Sequence, residues 1–450
     1  MSAAEGSSAR LFRRIASGGV WAIAGRVGLG VTGLVVNALI ARLLRPEDVG
    51  VYFLVVSGIG VAVVVSQLGL QHAVVRLVAE ALGADEPAQA GGVIRFILLV
   101  GCGLATLVGV VIGIFGSTAV GLFTDHTLVP GAAILMGIWV VAKTAEGLIA
   151  ESFRGLHDIR LATLHSMLLG NLLLALLLGS LWLSSRADLL VVLALSVSAT
   201  IAATVIGCRL LYGQLTALGP FVLPISTHVM GIAAPMFVTG VMLIVISQAD
   251  LWIVARSLSA EQVAIYGAAS RLVQLIMVPM LIVNAVIPPF VASLHREGRI
   301  AELEQIVRAA ATVSCVPTAC VLLVLWIAAA PLLEMVYGPF YRVGAETLVL
   351  ISAGQLINGL VGASAMVLMM TGHQFSLMVI SVLCGVFLIV GGLVMVEFHG
   401  MAGVAAATGL SIALHGILSL LWVKHKTGMW THCGGLASIR QVRKALNFGH

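Results

Sequence analysis

Residues Ala41–Tyr52 read Ala-Arg-Leu-Leu-Arg-Pro-Glu-Asp-Val-Gly-Val-Tyr, and residues Ala255–Tyr266 read Ala-Arg-Ser-Leu-Ser-Ala-Glu-Gln-Val-Ala-Ile-Tyr. At a constant offset of 214 the pairs Ala41/Ala255, Arg42/Arg256, Leu44/Leu258, Glu47/Glu261, Val49/Val263 and Tyr52/Tyr266 are identical. Chance pairing at this composition gives about one or two such matches, so the two stretches are copies of an internal repeat. Each copy is a short polar break between long apolar runs, which is the pattern of a turn between two hydrophobic helices.

The apolar runs on either side set the class of protein. The chain is 60% hydrophobic and 10% charged, with a mean hydropathy of +1.12, whereas soluble domains carry about a quarter charged residues. Runs near twenty residues match the length needed to cross a hydrocarbon core of about 30 Å. The 50 glycines suit close packing of transmembrane helices. The six cysteines are scattered, without metal-ligand spacing, and read as small buried hydrophobes. The apolar run after Arg10, Arg13 and Arg14 extends to about Ile40, too long for a cleaved signal and suited to a first span.

Twelve spans are predicted, with cores near 17–40, 50–70, 95–116, 130–152, 162–184, 189–211, 229–250, 265–291, 309–333, 346–370, 375–396 and 402–423. With the N-terminus in the cytoplasm, sixteen Lys and Arg fall on the cytoplasmic side, five on the other and three within spans. The positive-inside rule therefore puts both termini in the cytoplasm. Six spans separate the two turn copies, so both face the same side. The expected fold is an all-α polytopic membrane protein of about 12 transmembrane helices, in two six-helix lobes related by a pseudo-two-fold axis along the membrane normal. The lobes are expected at 1–213 and 214–426, followed by a basic tail at 427–450 that is suited to solvent or an anionic lipid surface. A weaker echo, Gly155-Leu-His157 and Gly372-His373-Gln374, precedes spans five and eleven. Stretches 71–92 and 294–308 are expected outside the membrane, the latter as a short interfacial helix.

Ionisable groups inside spans are costly and so are candidate functional residues. Arg26 lies deep in span one, on a helical face with Gly30, Gly33 and Asn37, a stripe able to line a cavity. Arg271 lies in span eight with Gln274 close by on the same helix and Pro279, Pro288 and Pro289 beyond, a basic group on a helix that can hinge. For both arginines the alternative is a structural ion pair. At the offset of 214, Arg26 matches Gly240 and Arg271 matches Ser57, so each lobe supplies one deep Arg that the other lacks. Glu146, Glu151 and Asp250 are candidates for carrying a coupling H⁺ or Na⁺; Lys143 can neutralise Glu146, and Arg154 can pair with Glu151. Buried amides such as Gln67, Gln71, Asn171, Asn284, Gln355 and Asn358 read as helix-to-helix links.

Ala41–Tyr52 resembles the first-hairpin signature of bacterial oligosaccharide-lipid flippases, the O-antigen and polysaccharide exporters of the multidrug/oligosaccharidyl-lipid/polysaccharide exporter superfamily. Asp250–Arg271 is similar to that family's segment joining spans seven and eight, and Val336–Tyr341 with Ala345 to its loop before span ten. The resemblance implies two six-helix lobes, alternating access, and an undecaprenyl-diphosphate-linked oligosaccharide carried from the cytoplasmic to the periplasmic leaflet for surface polysaccharide synthesis. It also implies a bacterial inner-membrane location, cavity arginines that hold the diphosphate, no cofactor, and a polysaccharide polymerase and chain-length regulator as partners. The superfamily's lipid II flippases have two further C-terminal spans that this chain lacks. Two other classes are weighed: a cation- or proton-coupled multidrug exporter of the same fold, and a membrane enzyme acting on lipid-linked glycans. Short outer loops without a nucleophile and carboxylate pair argue against the enzyme. The net charge of +5 reads as topology, and nucleic acid is not an expected partner.

Overall fold

The computed structural model describes residues 25, 27–123, 130–182, 188–220, 222, 226–274, 291, 294–295 and 297–434. Every regular element among them is a helix. Eight of these helices are long and apolar enough to cross a membrane, and Val27–Leu43 is a shorter apolar one. All twelve predicted spans are represented by a helix among the described residues. Spans eleven and twelve form one run, Gln374–Thr427, broken at Gly400, where φ is +55.

The two turn copies adopt one local structure. Span one ends at Leu43 and span two opens at Pro46; span seven ends at Ser257 and span eight opens at Ala260, each bound displaced by the same 214. The hydrogen bonds repeat at the same offset. Leu44 N–H donates to Ile40 O at 3.0 Å and Leu258 N–H to Val254 O at 2.9 Å. Val49 N–H donates to Arg45 O at 3.0 Å and Val263 N–H to Ser259 O at 3.1 Å. Acidic residues open both following helices, Glu47 and Glu261, where the helix dipole favours them. The breaks before spans five and eleven also correspond: His157 has φ +62 and Gly372 has φ +83.

Two compact units emerge, one of Met1–Gln248 with Ser259–Ala264, the other of Ala249–Leu258 with Ile265–His450. In the first, span three (Pro87–Gly121), span four (Pro130–Gly155) and span six (Leu189–Ala217) pack around a core of Leu70, Val74, Ile94, Ile97, Leu148 and Phe153. The turn copies touch within this unit: a Cβ added to Gly50 would lie 1.9 Å from the Ala260 carbonyl oxygen. In the second, span ten breaks at Gly362 into Ala345–Val361 and Ser364–Met370. Large apolar side chains on the outer faces stay exposed, Leu99, Leu107, Ile114 and Phe115 on span three among them. Each would forgo about 1.5–3 kcal/mol in water, a loss that lipid removes.

Two expectations need correction, and a third stretch gains detail. Residues 71–92, expected outside the membrane, are largely helical: the chain bends at Leu68 and Gly69, then forms Leu70–Gly83, whose apolar face joins the first core. Amphipathic spacing buries Leu70, Val74, Leu77 and Val78 while Arg76 and Glu80 pair at 2.7 Å outside. The charged stretch at 294–308 is not a separate helix after Gly298; Ile300 opens one helix that runs through Arg308 to Ile327. Asp250 does not close span seven, because that helix continues for two further turns to Ser257.

The start of the tail is packed inward. Met429 and Thr431 are fully buried. Span ten's break frees the carbonyls of Leu360 and Val361, and the tail satisfies them: Cys433 N–H donates to Leu360 O at 2.9 Å and the Thr431 hydroxyl to Val361 O at 3.2 Å. Ser364 and Thr431 hydroxyls meet at 2.5 Å, and Gly434 N–H donates to Thr312 Oγ1 at 3.1 Å.

Candidate functional site

In the second unit, Asp250 is the centre of a hydrogen-bonded chain across three spans. The Tyr266 hydroxyl donates to Asp250 Oδ2 at 2.8 Å, and Leu251 N–H donates to Oδ1 at 2.8 Å. Tyr266 Oη also meets Thr408 Oγ1 on span twelve at 3.0 Å, and Thr408 donates in turn to Val404 O. Tyr266 is fully buried, so the chain is held in a water-poor setting where an ionised carboxylate needs such donors. Arg271, on the same helix as Tyr266, lies within Coulombic reach of Asp250 and donates to Gly267 O at 3.2 Å.

The first unit carries the same motif without the acid. Tyr52 Oη meets Ser196 Oγ on span six at 3.3 Å, and Ser196 donates to Val192 O at 2.8 Å. The position matching Asp250 is Val36, buried and apolar. Repeat symmetry is therefore kept in the fold and broken in the chemistry.

The first unit's acids are on span four. Lys143 Nζ and Glu146 Oε2 are 2.5 Å apart, and Arg154 bonds both oxygens of Glu151 at 2.5 Å. Both pairs are one turn apart, as the spacing implied. Glu146 is buried at 2% exposure and its other oxygen lies against Gly170 of span five. The remaining predicted residues differ in setting. Asn37 turns its amide onto its own helix, donating to Gly33 O at 2.7 Å. Gln274 is exposed at the end of its described helix. Arg26, Pro279, Pro288 and Pro289 lie outside the described residues. The structure thus brings Asp250 and Arg271 together, and separates Glu146 from Glu151 by giving each its own cation.

Sequence reasoning missed two features. One is His165, which sits in a π-helical stretch of span five, Leu164–Leu169. The other is a cavity of about 80 Å³ at the span-ten break, lined by Asn358, Ser364, His415 and Ser419 among others. A polar residue in an apolar run was the available sign for each; the backbone irregularities beside them leave no trace in hydropathy. Among the described residues no group of three or more His, Cys, Asp or Glu could hold a metal ion.

A profile of the polysaccharide biosynthesis protein family matches residues 15–295, well over half of the chain. The protein belongs to that family. The matched stretch holds both turn copies, both deep arginines and all three candidate acids of this polysaccharide biosynthesis protein. No curated protein matches the sequence. The fold is similar to that of a multidrug resistance MATE family transporter of the MOP superfamily in an inward-facing conformation, with a TM-score of 0.76 at 14% identity over 89% of this chain and 94% of that one. A MOP superfamily transporter from Pyrococcus furiosus, whose binding pocket of reverse polarity suggests a different function, gives 0.64 at 14% identity over 92% and 95%. The lipid II flippase MurJ, in an inward closed conformation, gives 0.65 at 13% identity over 90% and 87%. Together with the apolar helices, family and fold identify a multi-pass membrane protein of the polysaccharide biosynthesis family with a MATE-like fold.

Proposed function

We propose that this protein flips an undecaprenyl-diphosphate-linked oligosaccharide from the cytoplasmic to the periplasmic leaflet of a bacterial inner membrane, by alternating access of two six-helix lobes. The match to the polysaccharide biosynthesis family carries this reading. Physical chemistry supports it: moving a bare diphosphate through hydrocarbon would cost tens of kcal/mol, so the headgroup needs a wet cationic cavity. Arg26 and Arg271 supply the cations, since guanidinium stays protonated and pairs bidentately with phosphate. Asn37 and Gln274 serve the sugar. Glu146, Glu151 and Asp250 are the coupling acids, with H⁺, Na⁺ or membrane potential as the drive. Both termini are cytoplasmic, and a polymerase and a chain-length regulator act on the delivered product.

Surface-polysaccharide export in a strain lacking its own flippase tests the assignment. Arg26→Ala and Arg271→Ala should each abolish export at normal membrane levels of protein. Export at the wild-type rate by both would remove the anion site. A second reading, a cation- or proton-coupled multidrug exporter, is favoured by the likeness to the MATE transporter and by half-buried Asp250. Robust ethidium efflux, with no rescue of polysaccharide export, would select it.

A further inference from the structure

His165 is buried at 4% exposure, and among the described residues neither its Nδ1 nor its Nε2 has a hydrogen-bond partner. Neutral imidazole carries one donor and one acceptor. Leaving a buried polar group unmet costs about 1–3 kcal/mol, and such groups in a folded protein call for an explanation. The hydroxyl of the adjacent Ser166 is also buried and unmet.

The surroundings show why the ring is held there. Span five is α-helical from Ile159 to Thr163, π-helical from Leu164 to Leu169, and α-helical again from Gly170 to Trp182. In an α-helix, residues five apart are about 140° apart around the axis, at 3.6 residues per turn. A π turn closes its hydrogen bond from i to i+5 and so draws His165 and Gly170 toward one face. On that side Gly170 meets the Glu146 carboxylate of span four, and a Cβ on Gly170 would also touch Ala203 of span six. The imidazole lies over Gly207, one turn beyond Ala203: a Cβ there would sit 2.3 Å from the ring. Phe153 packs edge-on against it, centroids 6.3 Å apart. From span four Lys143 lies within Coulombic reach of the ring and Glu146 faces Gly170, while span six presents Ala203 and Gly207, neither titratable. Span one contributes Gly28, against Leu168.

We propose that His165 is a buried proton-binding site, with the Lys143–Glu146 pair as its exchangeable counter-charge and the π turn of span five as the element that moves it. A proton from water adds to one ring nitrogen, giving an imidazolium with two N–H donors and one positive charge. That charge cannot stay unpaired in a dry interior. Glu146, which faces Gly170 at the far end of the π turn, is the carboxylate on that side, and Lys143, whose side chain is 46% exposed, can release it and turn to solvent. Converting the π turn to α rotates His165 by about one residue, roughly 100°. Protonation would thus be tied to a rewinding of span five. The site does not depend on which cargo is moved.

Hydrogen exchange on the full-length protein in lipid nanodiscs tests this, comparing peptides over 159–182 at about pH 4 and about pH 8, a range that reaches below the ordinary titration of histidine. After correction for intrinsic exchange chemistry, the wild type should show about a tenfold change in protection across 164–169, the shift produced when the two windings of span five differ by one unit in the histidine's pKa. Span six serves as the reference segment. His165→Gln, polar but without a titration near neutrality, should flatten the profile, and Glu146→Gln should do so by removing the counter-charge. A flat wild-type profile, or an unchanged profile in H165Q, overturns the proposal. Full amplitude in E146Q overturns the counter-charge assignment. Should H165Q not fold, Gly207→Ala displaces the ring while keeping the imidazole, and a wild-type profile in G207A then overturns the site.

Discussion

Tyr52 and Tyr266 occupy the same place in the repeat and each reaches a hydroxyl on the last span of its half, and Tyr266 also holds the Asp250 carboxylate, where the first copy has Val36. Removing the two hydroxyls should therefore have unequal effects. Tyr266→Phe takes a donor from half-buried Asp250, and should cost about 1.5–3 kcal/mol, as for a hydrogen bond to a charged group. Tyr52→Phe leaves Ser196 bonded to Val192 O, and should cost about 0.5–1.5 kcal/mol. Unfolding of the two variants in detergent micelles measures the difference, and equal losses would show that Asp250 does not depend on Tyr266. The residue scale was partly legible. Asp250 stood out as an acid in an apolar run, and the Lys143–Glu146 and Glu151–Arg154 pairs followed from helical spacing. Tyr266 was visible as a repeated residue, but its partner on span twelve lies 142 positions away, beyond the reach of any local pattern.

Among the elements, the hairpin turn is where sequence and structure agree most closely, because its six identities include the residues that end one helix and open the next. Hydrophobic length located the spans, since burying or lipid-facing an apolar run is a collective effect that no single residue can hide. Helix irregularities escaped for the opposite reason. The π turn of span five adds one residue without changing composition, and the break at Gly362 rests on one backbone at φ +79. The turn copies yield an element-scale expectation. Gly50→Ala places a methyl against the Ala260 backbone, which has no flexible end to yield, so the hairpins must part. Overpacking of this kind costs about 1–3 kcal/mol. Gly58→Ala, on the same span with open space around it, is the control. A thermal melt showing no difference between G50A and G58A would contradict the contact.

At the scale of the whole molecule, the repeat divides labour: one backbone plan is used twice, with Val36 in one copy and Asp250 in the other. A duplicated helical scaffold tolerates this divergence because each copy's packing is set by apolar faces, leaving interior polar positions free to differ. The tail shows a second whole-chain dependence. Ending the chain after Gly428 removes the Cys433 donor of Leu360 O and the Thr431 donor of Val361 O along with buried Met429. Such a truncation should lower the melting temperature by several degrees and loosen 358–366 to hydrogen exchange; an unaltered melt and protection pattern would deny the tail that role. The arrangement also bears on how the protein is made. Thr431 follows Val361 by 70 positions, so span ten emerges during synthesis well before the segment that completes it. Two spans must be threaded into the bilayer in between, and over that interval the Leu360 carbonyl must borrow water or another chain in place of Cys433. Biogenesis is thus gated by the segment that follows span twelve, and a nascent chain stalled short of Thr431 should be the form that quality-control proteases recognise.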